Sequence, residues 1–346
     1  MIKIANSRCN TTLNKDAITV LFGPSGIGKT TLLKQLAGHM SLQGSLTFND
    51  EVIESPEQTL KPEKRNFCYL TQRLNLIQTL TVKGNLELAL KFSNSEQPQQ
   101  LLQQMIAMVE IESLLDRPTS ELSGGEYQLV SFCMAMVSNS RWLLLDEPFS
   151  AVDKARLHRI LNRFKHWHRQ HPVPILYVTH DVHEMALIAD DVLHMNDDNS
   201  TELTSYDALV QAVNSDFIAT YANENIIETR WLRSEDNIQL LQLKDDPEQQ
   251  IWALGDPPKD EIQWLSIPLM DISLSRYKLM DSSILNQLEG IVEEVGIERD
   301  GICYVSIRVG DKLISARITI KSRNELRLSP GVMCVVCFKA PRLVGV

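Results

Sequence analysis

Gly23-Pro-Ser-Gly-Ile-Gly-Lys-Thr30 is the segment that decides the fold of the first part of this chain. It matches the pattern G-x-x-x-x-G-K-[ST], it follows the apolar run Ala17–Phe22, and an apolar helical pattern begins at Thr31. A glycine-rich turn between a strand and a helix can surround a phosphate with backbone N–H groups at the positive end of the helix. We therefore predict a nucleotide phosphate site, and its contacting residues are Gly23, Pro24, Ser25, Gly26, Ile27, Gly28, Lys29, Thr30 and Thr31.

Short apolar segments alternate with helical patterns from Ala17 to about Met195. This alternation is typical of an α/β domain with a parallel sheet. Two of the segments, Trp142–Leu145 and Ile175–Thr179, are followed by polar residues. Parallel strands bring such residues to one edge of the sheet, where open α/β sheets bind ligands.

The polar residues near these strand ends suit phosphate hydrolysis. Lys29 would neutralise phosphate oxygens, and the Thr30 hydroxyl and the Asp146 carboxylate would bind Mg²⁺. Glu147, one residue further along the chain, is placed to polarise the attacking water as a general base.

A longer ordered set of residues indicates a family. The set resembles the ATP-binding subunits of ABC transporters, and it covers most of residues 17–195. Its members are Lys29, Gln72, Leu122-Ser-Gly-Gly-Glu126, Asp146-Glu147, Ser150-Ala-Val-Asp153 and Thr179-His-Asp181.

The resemblance assigns a role to the segment at Ser123. It implies that Ser123 and the amides of Gly124 and Gly125 contact the γ-phosphate of a nucleotide bound to the opposite subunit of a dimer, and it includes Glu126 among the nucleotide-binding residues. Glycines at a helix amino terminus offer uncrowded N–H donors to an anion, in agreement with that role. The alternative is a capping box between Ser123 and Glu126, which would mark the start of a helix.

The resemblance also assigns roles to residues outside the phosphate loop. It groups Gln72 and His180 with Glu147 as catalytic residues, with His180 as a switch that senses the γ-phosphate. Gln72 would link Mg²⁺ and water to a helical insertion at residues 73–122, in which the helical patterns are Val82–Lys91 and Leu101–Val109. Asp153 would cross the dimer interface.

Beyond Asn196 the pattern changes to short alternating strands that are separated by turn residues. We predict an ATP-binding domain at 1–222, which ends in a helix near 206–221, and a small all-β domain at 223–346. The predicted strands are Ile238–Leu243, Gln263–Ile267, Ile272–Arg276, Glu289–Val295, Cys303–Val309, Lys312–Thr319 and Val332–Phe338.

The last part of this domain, at 282–346, resembles the Mop-type (TOBE) module of molybdate-importer ATPases, which has an oligonucleotide-binding-like fold. The matching segments are Ser282–Gly290, Ser315–Thr319, Glu325–Gly331 and Phe338–Ala340. In such a module hydroxyls, amides and a few cations hold a tetrahedral oxyanion, and Ser283 and Lys339 would supply them here.

One position sets this chain apart from that pattern. Relatives usually read Ser-x-Arg-Asn where this chain has Ser283-Ile-Leu285-Asn286. Leucine donates no hydrogen bond, so we expect molybdate or tungstate to bind this domain weakly or not at all. The alternative role of the domain is dimerisation and packing.

Composition excludes several classes of protein. A formal net charge of −10 gives no general attraction to nucleic acid, and no apolar run reaches the ~18 residues that span a bilayer. The six cysteines follow no signal peptide, so we expect reduced thiols, with Cys334 and Cys337 as a buried structural pair. We expect His166, His168 and His171 on a solvated helix face.

The resemblances to ABC transporter ATP-binding subunits and to the Mop-type module imply a Mg²⁺-dependent ATPase of a molybdate or tungstate importer. The resemblance implies a homodimer at the cytoplasmic face of the bacterial inner membrane, docked on two membrane permease subunits that a periplasmic oxyanion-binding protein supplies. One alternative is an importer of another oxyanion such as sulfate. Another is a soluble ABC switch ATPase, but this sequence lacks the second ATP cassette, long coiled coil or basic arm usual in that class.

The sequence also bears on nucleotide choice. No aromatic residue precedes Phe22, although the family usually stacks adenine on one in this region. We therefore expect weak discrimination between ATP and GTP.

Overall fold

The computed structural model describes residues 1–7, 9–24, 26–71, 76–196, 200–205, 209, 224–243, 246–258, 261–296 and 301–343. The chain divides into two compact units, Met1–Tyr206 and Asp207–Val346. Within the described ranges, no helix is both long and apolar enough to cross a membrane. The predicted helix near 206–221 lies almost entirely outside the described residues.

The first unit contains two sheets. Its central sheet has the strand order β10-β9-β3-β8-β7-β6, in which β10 is antiparallel and the other strands run parallel. A smaller antiparallel sheet has the order β2-β1-β4-β5. The strands are β1 (Ile2–Ala5), β2 (Asn10–Leu13), β3 (Ile18–Phe22), β4 (Ser45–Phe48), β5 (Glu51–Glu54), β6 (Phe67–Leu70), β7 (Trp142–Asp146), β8 (Ile175–Val178), β9 (Asp191–Met195) and β10 (Thr201–Thr204).

Burial explains why the central strands form where they were predicted. Every residue of β3, β7 and β8 is buried, as expected for parallel strands that are covered on both faces. The α/β prediction is thereby confirmed. Apolar residues of both sheets pack in one cluster with Leu32, Leu33 and Leu36.

Helices cover the central sheet and form the segment between Gln72 and Ser123. Val82–Lys91 is helical as predicted, and the next helix begins at Pro98, three residues before the predicted start. The helices are α1 (Lys29–Ala37), α2 (Pro62–Arg65), α3 (Val82–Lys91), α4 (Pro98–Val109), α5 (Gly124–Val137), α6 (Lys154–Gln170) and α7 (Val182–Ile188), with short 3₁₀ turns at Glu112–Leu114 and Thr119–Glu121.

The histidine-rich end of α6 differs in part from the expectation. His166 and His171 are exposed, but His168 is buried, and its Nε2 lies 2.7 Å from the carbonyl oxygen of Val173. His168 therefore ties the end of α6 to the loop before β8, and the expected solvated face is wrong at this residue.

The second unit is built from antiparallel strands, which confirms the all-β prediction. One sheet has the order β13-β12-β11-β14, the other has the order β15-β19-β16-β17-β18, and apolar residues of both share one core. The elements are β11 (Glu224–Glu235), β12 (Ile238–Leu243), β13 (Asp246–Leu254), β14 (Ile262–Pro268), a 3₁₀ turn at Leu269–Asp271, β15 (Ser273–Ser275), β16 (Asn286–Val295), β17 (Ile302–Val309), β18 (Lys312–Thr319), α8 (Ile320–Leu326) and β19 (Met333–Phe338).

Buried polar groups join the two sheets of this unit. The Asn286 side chain accepts a hydrogen bond from the backbone N–H of Trp252 at 2.7 Å and donates one to the Trp252 carbonyl oxygen at 3.0 Å. Asn286 belongs to β16 and Trp252 to β13, so this amide fixes one sheet against the other. Cys334 and Cys337 are buried in β19 as free thiols.

Candidate active site

The loop between β3 and α1 has a backbone that requires glycine. Gly23, Gly26 and Gly28 have φ values of 154°, 83° and 110°, which L-residues with side chains rarely adopt. A Cβ atom at Gly23 would also lie 2.6 Å from the carbonyl oxygen of Met195. Ser25 lies outside the described residues. The loop thus turns tightly into the amino terminus of α1, as a phosphate-binding loop does.

Lys29 lies inside this loop. Its Nζ donates hydrogen bonds to the carbonyl oxygens of Gly23 at 2.7 Å and Pro24 at 2.9 Å, and the residue is 7% exposed. Burial lowers the pKa of the Lys29 ammonium group, while Glu147 and Asp146 act in the opposite direction. The ammonium group is held where it can meet the oxygens of a phosphate in the loop.

Asp146 ends β7 beside the start of α1. Its Oδ1 accepts a hydrogen bond from the Thr30 hydroxyl at 3.2 Å, and its Oδ2 accepts one from the Tyr69 hydroxyl at 3.3 Å. Asp146 is 1% exposed. Burial raises the pKa of its carboxyl group, and the hydrogen bonds from Thr30 and Tyr69 oppose that shift.

The donor atoms at this point suit Mg²⁺. Thr30 and Asp146 offer a hydroxyl and a carboxylate, both hard oxygen ligands, and Mg²⁺ in phosphate sites is usually held by one or two such protein groups together with phosphate and water. The remaining residue predicted to bind the metal, Gln72, lies outside the described residues. In the part of the chain that the structure describes, no cluster of three or more His, Cys, Asp or Glu side chains could hold another metal ion.

Glu147 and His180 meet at the edge of the same sheet. Glu147 has a φ of 48°, and its backbone N–H donates to the carbonyl oxygen of Val178 at 3.1 Å. Its Oε1 lies 3.3 Å from Nδ1 of His180, and the two side chains are 23% and 62% exposed. Glu147 is therefore more open to water than its neighbour Asp146, which fits a base that meets an incoming water molecule.

A buried pair lies behind the turn that carries His180. The Tyr177 hydroxyl donates to Oε2 of Glu184 at 2.5 Å, and Glu184 is 7% exposed. Burial raises the pKa of Glu184 to about 7, although the hydrogen bond from Tyr177 lowers it. Sequence reasoning missed this pair; the available signal was a glutamate four residues after His180, in the first turn of α7.

The residues of the Ser123 segment form a second group at the start of α5. Ser123 Oγ accepts from the Glu126 backbone N–H at 3.3 Å, and Glu126 Oε2 accepts from the Ser123 backbone N–H at 2.8 Å. This is the capping box of the alternative interpretation. The bonds from Ser123 hold the pKa of Glu126 below its usual value.

This group is packed against the Ser150–Asp153 segment. A Cβ atom at Gly125 would lie 2.6 Å from the carbonyl oxygen of Ala151, so only glycine allows this approach. The Gln128 side chain donates to Ser150 Oγ at 2.8 Å and accepts from the Ala151 backbone N–H at 2.7 Å. Asp153 caps α6 by accepting from the Arg156 backbone N–H at 2.9 Å. Sequence reasoning missed Gln128, which links the two segments.

The second unit contains a cleft of about 430 Å³ that includes one of the two residues expected to hold an oxyanion. Its described lining includes Lys339, with Arg342, Ser266 and Ser273, but not Ser283. Sequence reasoning missed Arg342.

The motif residues that were expected to face an oxyanion lie on the surface. Ser283 is exposed, and the Leu285 side chain is 52% exposed. Asn286, next to Leu285, is buried and occupied by its bonds to Trp252.

Comparison with protein families matches residues 7–150 to the ABC transporter family and residues 282–344 to the TOBE domain. The molybdenum import ATP-binding protein ModC of Saccharophagus degradans is 34% identical over 343 residues, which cover 97% of this chain and 94% of the relative. The ModC proteins of Thiobacillus denitrificans and Methylococcus capsulatus are 31% and 32% identical, over 95% and 92% of this chain and 91% and 90% of the relatives.

Solved structures of ATP-binding cassettes resemble the fold of part of this chain. A dimeric ATP-binding cassette in a post-hydrolysis state with ADP and Pi aligns with a TM-score of 0.50 at 22% identity, covering 57% of this chain and 88% of its own. A nucleotide-free cassette of an ABC transporter aligns with the same TM-score at 19% identity, covering 61% and 91%.

Proposed function

This chain belongs to the family of the ABC transporter ATP-binding proteins ModC, and from that membership we propose that it hydrolyses ATP to drive the uptake of molybdate or tungstate through a membrane permease. The observation that carries the proposal is the contiguous set at one sheet edge. Lys29 lies in the phosphate loop, Thr30 contacts Asp146, and Glu147 contacts His180. These are the groups that phosphoryl transfer to water requires.

We assign the steps of hydrolysis to different residues of the chain. The loop amides and Lys29 bind the phosphates, and Thr30 and Asp146, together with Gln72, would hold Mg²⁺. The metal ion would supply positive charge to the bound phosphates. Glu147 accepts a proton from the attacking water, and His180 orients the Glu147 carboxylate and contacts the γ-phosphate.

The Ser123 segment completes the site from a second copy of the chain. Two glycines at the amino terminus of α5 leave N–H groups open to an anion, and Ser123 and the amides of Gly124 and Gly125 meet the γ-phosphate of the partner, while Glu126 supports them through the capping box. Gln128 ties this segment to Ser150 and Ala151, so that the loop ending at Asp153 moves with it. ATP closes the homodimer, and hydrolysis opens it.

The proposal extends to the domains of the chain and to the transport assembly in which it acts. We propose an ATP-binding domain at 1–222 with its helical subdomain at 73–122, and a regulatory domain at 223–346. The homodimer docks on two permease subunits at the cytoplasmic face of the inner membrane, and a periplasmic oxyanion-binding protein delivers the cargo. The regulatory domain binds oxyanion weakly or not at all: of the two expected contacts, Lys339 lines the cleft of this domain and Ser283 does not.

Uptake of radiolabelled molybdate tests the proposal. Vesicles that contain this chain, its cognate permease and the binding protein should take up molybdate with ATP inside, and excess tungstate should compete. Vesicles with Glu147→Gln should take up none, which controls for leakage. ATP-dependent uptake of sulfate with no uptake of molybdate would establish the alternative cargo, for which Leu285 at the oxyanion motif is the motivating observation.

A further inference from the structure

Tyr69 faces the metal-binding carboxylate because of strand register. β6 and β7 are parallel neighbours in which Tyr69 lies opposite Leu144. Side chains two residues apart on a strand share a face, so Tyr69, Leu144 and Asp146 lie on the same side of the sheet. The phenol of Tyr69 is thus the diagonal neighbour of Asp146, and its hydroxyl lies 3.3 Å from Oδ2.

The two carboxylate oxygens of Asp146 have different partners. Thr30, proposed as a metal ligand, contacts Oδ1, and Tyr69 contacts Oδ2. The terminal torsion of an aspartate is soft, so the direction of its oxygens depends on their hydrogen bonds. Asp146 is 1% exposed, which leaves little access for solvent water to take the place of the phenol.

The ring of Tyr69 is held independently of its hydroxyl. It packs against the apolar cluster that joins the two sheets of the first unit, and its centroid lies 5.8 Å from the ring of His39. Phenylalanine would keep these ring contacts and would remove the hydrogen bond to Asp146 and nothing else of the side chain.

We propose that Tyr69 is a positioning residue, whose hydroxyl holds Oδ2 of Asp146 so that Oδ1 faces Thr30 and the Mg²⁺ of bound Mg·ATP. This inference rests on the proposed Mg²⁺-dependent ATPase. Hydrogen bonds to metal-ligating carboxylates orient the ligand and tune metal affinity, and their loss typically weakens metal binding by about 10- to 100-fold.

Nucleotide binding with and without Mg²⁺ tests the proposal on the full-length chain. The probe is the nonhydrolysable analogue adenylyl imidodiphosphate, titrated in EDTA and then at increasing Mg²⁺. Tyr69→Phe should bind the analogue in EDTA as wild type does, and its half-saturating Mg²⁺ concentration should rise about tenfold, the low end of the range for outer-shell bonds because 3.3 Å is long. Tyr304→Phe, the same change on β17 in the second unit, is the matched control and should equal wild type.

The possible outcomes distinguish a failure of the proposed ATPase function from a failure of the proposed role of Tyr69. A wild-type chain whose nucleotide affinity ignores Mg²⁺ would overturn the proposed ATPase, and the role of Tyr69 with it. A Mg²⁺-dependent wild type with an identical Tyr69→Phe curve would overturn the inference alone. Loss of binding in EDTA, or of the folded state, by Tyr69→Phe would also overturn it, because the hydroxyl would then serve the fold rather than the carboxylate.

Discussion

The proposed phosphate site of the first unit and the cleft of the second unit both contain cationic side chains, but they are built differently. Lys29 is 7% exposed and bonded to two loop carbonyls, and Asp146 is 1% exposed with a partner for each oxygen. Lys339 in the cleft is exposed, and Leu285, which stands where the resemblance to the Mop-type module leads us to expect arginine, is half-exposed. Buried, mutually bonded groups are costly to alter, whereas exposed ones act through weak and screened interactions. We therefore expect steep losses from substitutions in the first site and graded effects in the second.

The steepest loss should follow from Lys29→Ala. Removal of the ammonium group from the phosphate loop should lower ATP hydrolysis by about 100-fold or more, because a buried cation that stabilises developing phosphate charge has no replacement there. Lys91→Ala, at an exposed lysine that ends α3, is the control and should retain near wild-type turnover in a steady-state phosphate-release assay. Equal losses in both variants would contradict the role of Lys29 in the loop.

An added positive charge should strengthen molybdate binding by the second unit. Leu285→Arg should strengthen molybdate binding by about one to two orders of magnitude, since a charge-assisted hydrogen bond contributes ~1.5–3 kcal/mol. Isothermal titration of the full chain measures the affinity. Met280→Arg adds the same charge at a residue that is 85% exposed, so it controls for general attraction. Submicromolar molybdate binding by the wild type would contradict the expectation from Leu285.

The burial of Glu184 near the first site should make the stability of the folded protein depend on pH. Glu184 has a folded pKa of about 7 against an ordinary value of 4.5, so between these values the folded state binds the proton that the unfolded state releases. Stability should therefore fall as the pH rises from about 4.5 to 7. Thermal melting over this range should show the fall in wild type, and Glu184→Gln should reduce it.

Glu126→Gln provides the matched carboxyl control for that experiment. The pKa of Glu126 is lowered in the folded state, so this group is ionised in both states above about pH 5 and contributes no fall in stability there. If Glu184→Gln kept the full wild-type dependence, Glu184 would not be its source.

The smallest expected effect concerns the nucleotide base. Because no aromatic residue precedes Phe22, ATP and GTP should compete with affinities within about tenfold of one another, since stacking contributes ~1–3 kcal/mol per base. Competition binding measures the ratio. A strong preference for ATP would show that another group recognises adenine.

The parts of the fold that sequence reasoning found are those with continuous burial or strong periodicity. Three strands, β3, β7 and β8, are buried along their whole length, so each forms a recognisable apolar run in the sequence. The four-residue strands of the small sheet were missed because each is short and mixes apolar with polar residues. β13 was missed because it begins with Asp-Pro-Glu-Gln-Gln, residues with low strand propensity.

The candidate site could be predicted from the sequence only where its residues belong to recognisable motifs. The sequence motifs identify Lys29, Thr30, Asp146, Glu147 and His180. The contacts among these residues are expected because the strands of a parallel sheet end at one common edge. Strand register and side-chain packing determine which residues contact them. Neither leaves a recognisable pattern in a single sequence. Tyr69 meets Asp146 across two strands, and His168, expected on the surface, is buried against Val173.

Size-exclusion chromatography of Glu147→Gln with and without Mg·ATP tests whether ATP closes a dimer in which Glu147 is the general base. Removal of the general base should lower hydrolysis by about 100-fold or more and leave phosphate binding intact, so ATP should accumulate between Lys29 of one copy and Ser123 of the other. We expect a dimer with Mg·ATP and a monomer without it, and loss of that dimer when Ser123→Arg is added. A Glu147→Gln chain that remains monomeric at saturating Mg·ATP, or that hydrolyses ATP as fast as wild type, would show that Glu147 is not the general base of an ATP-closed dimer.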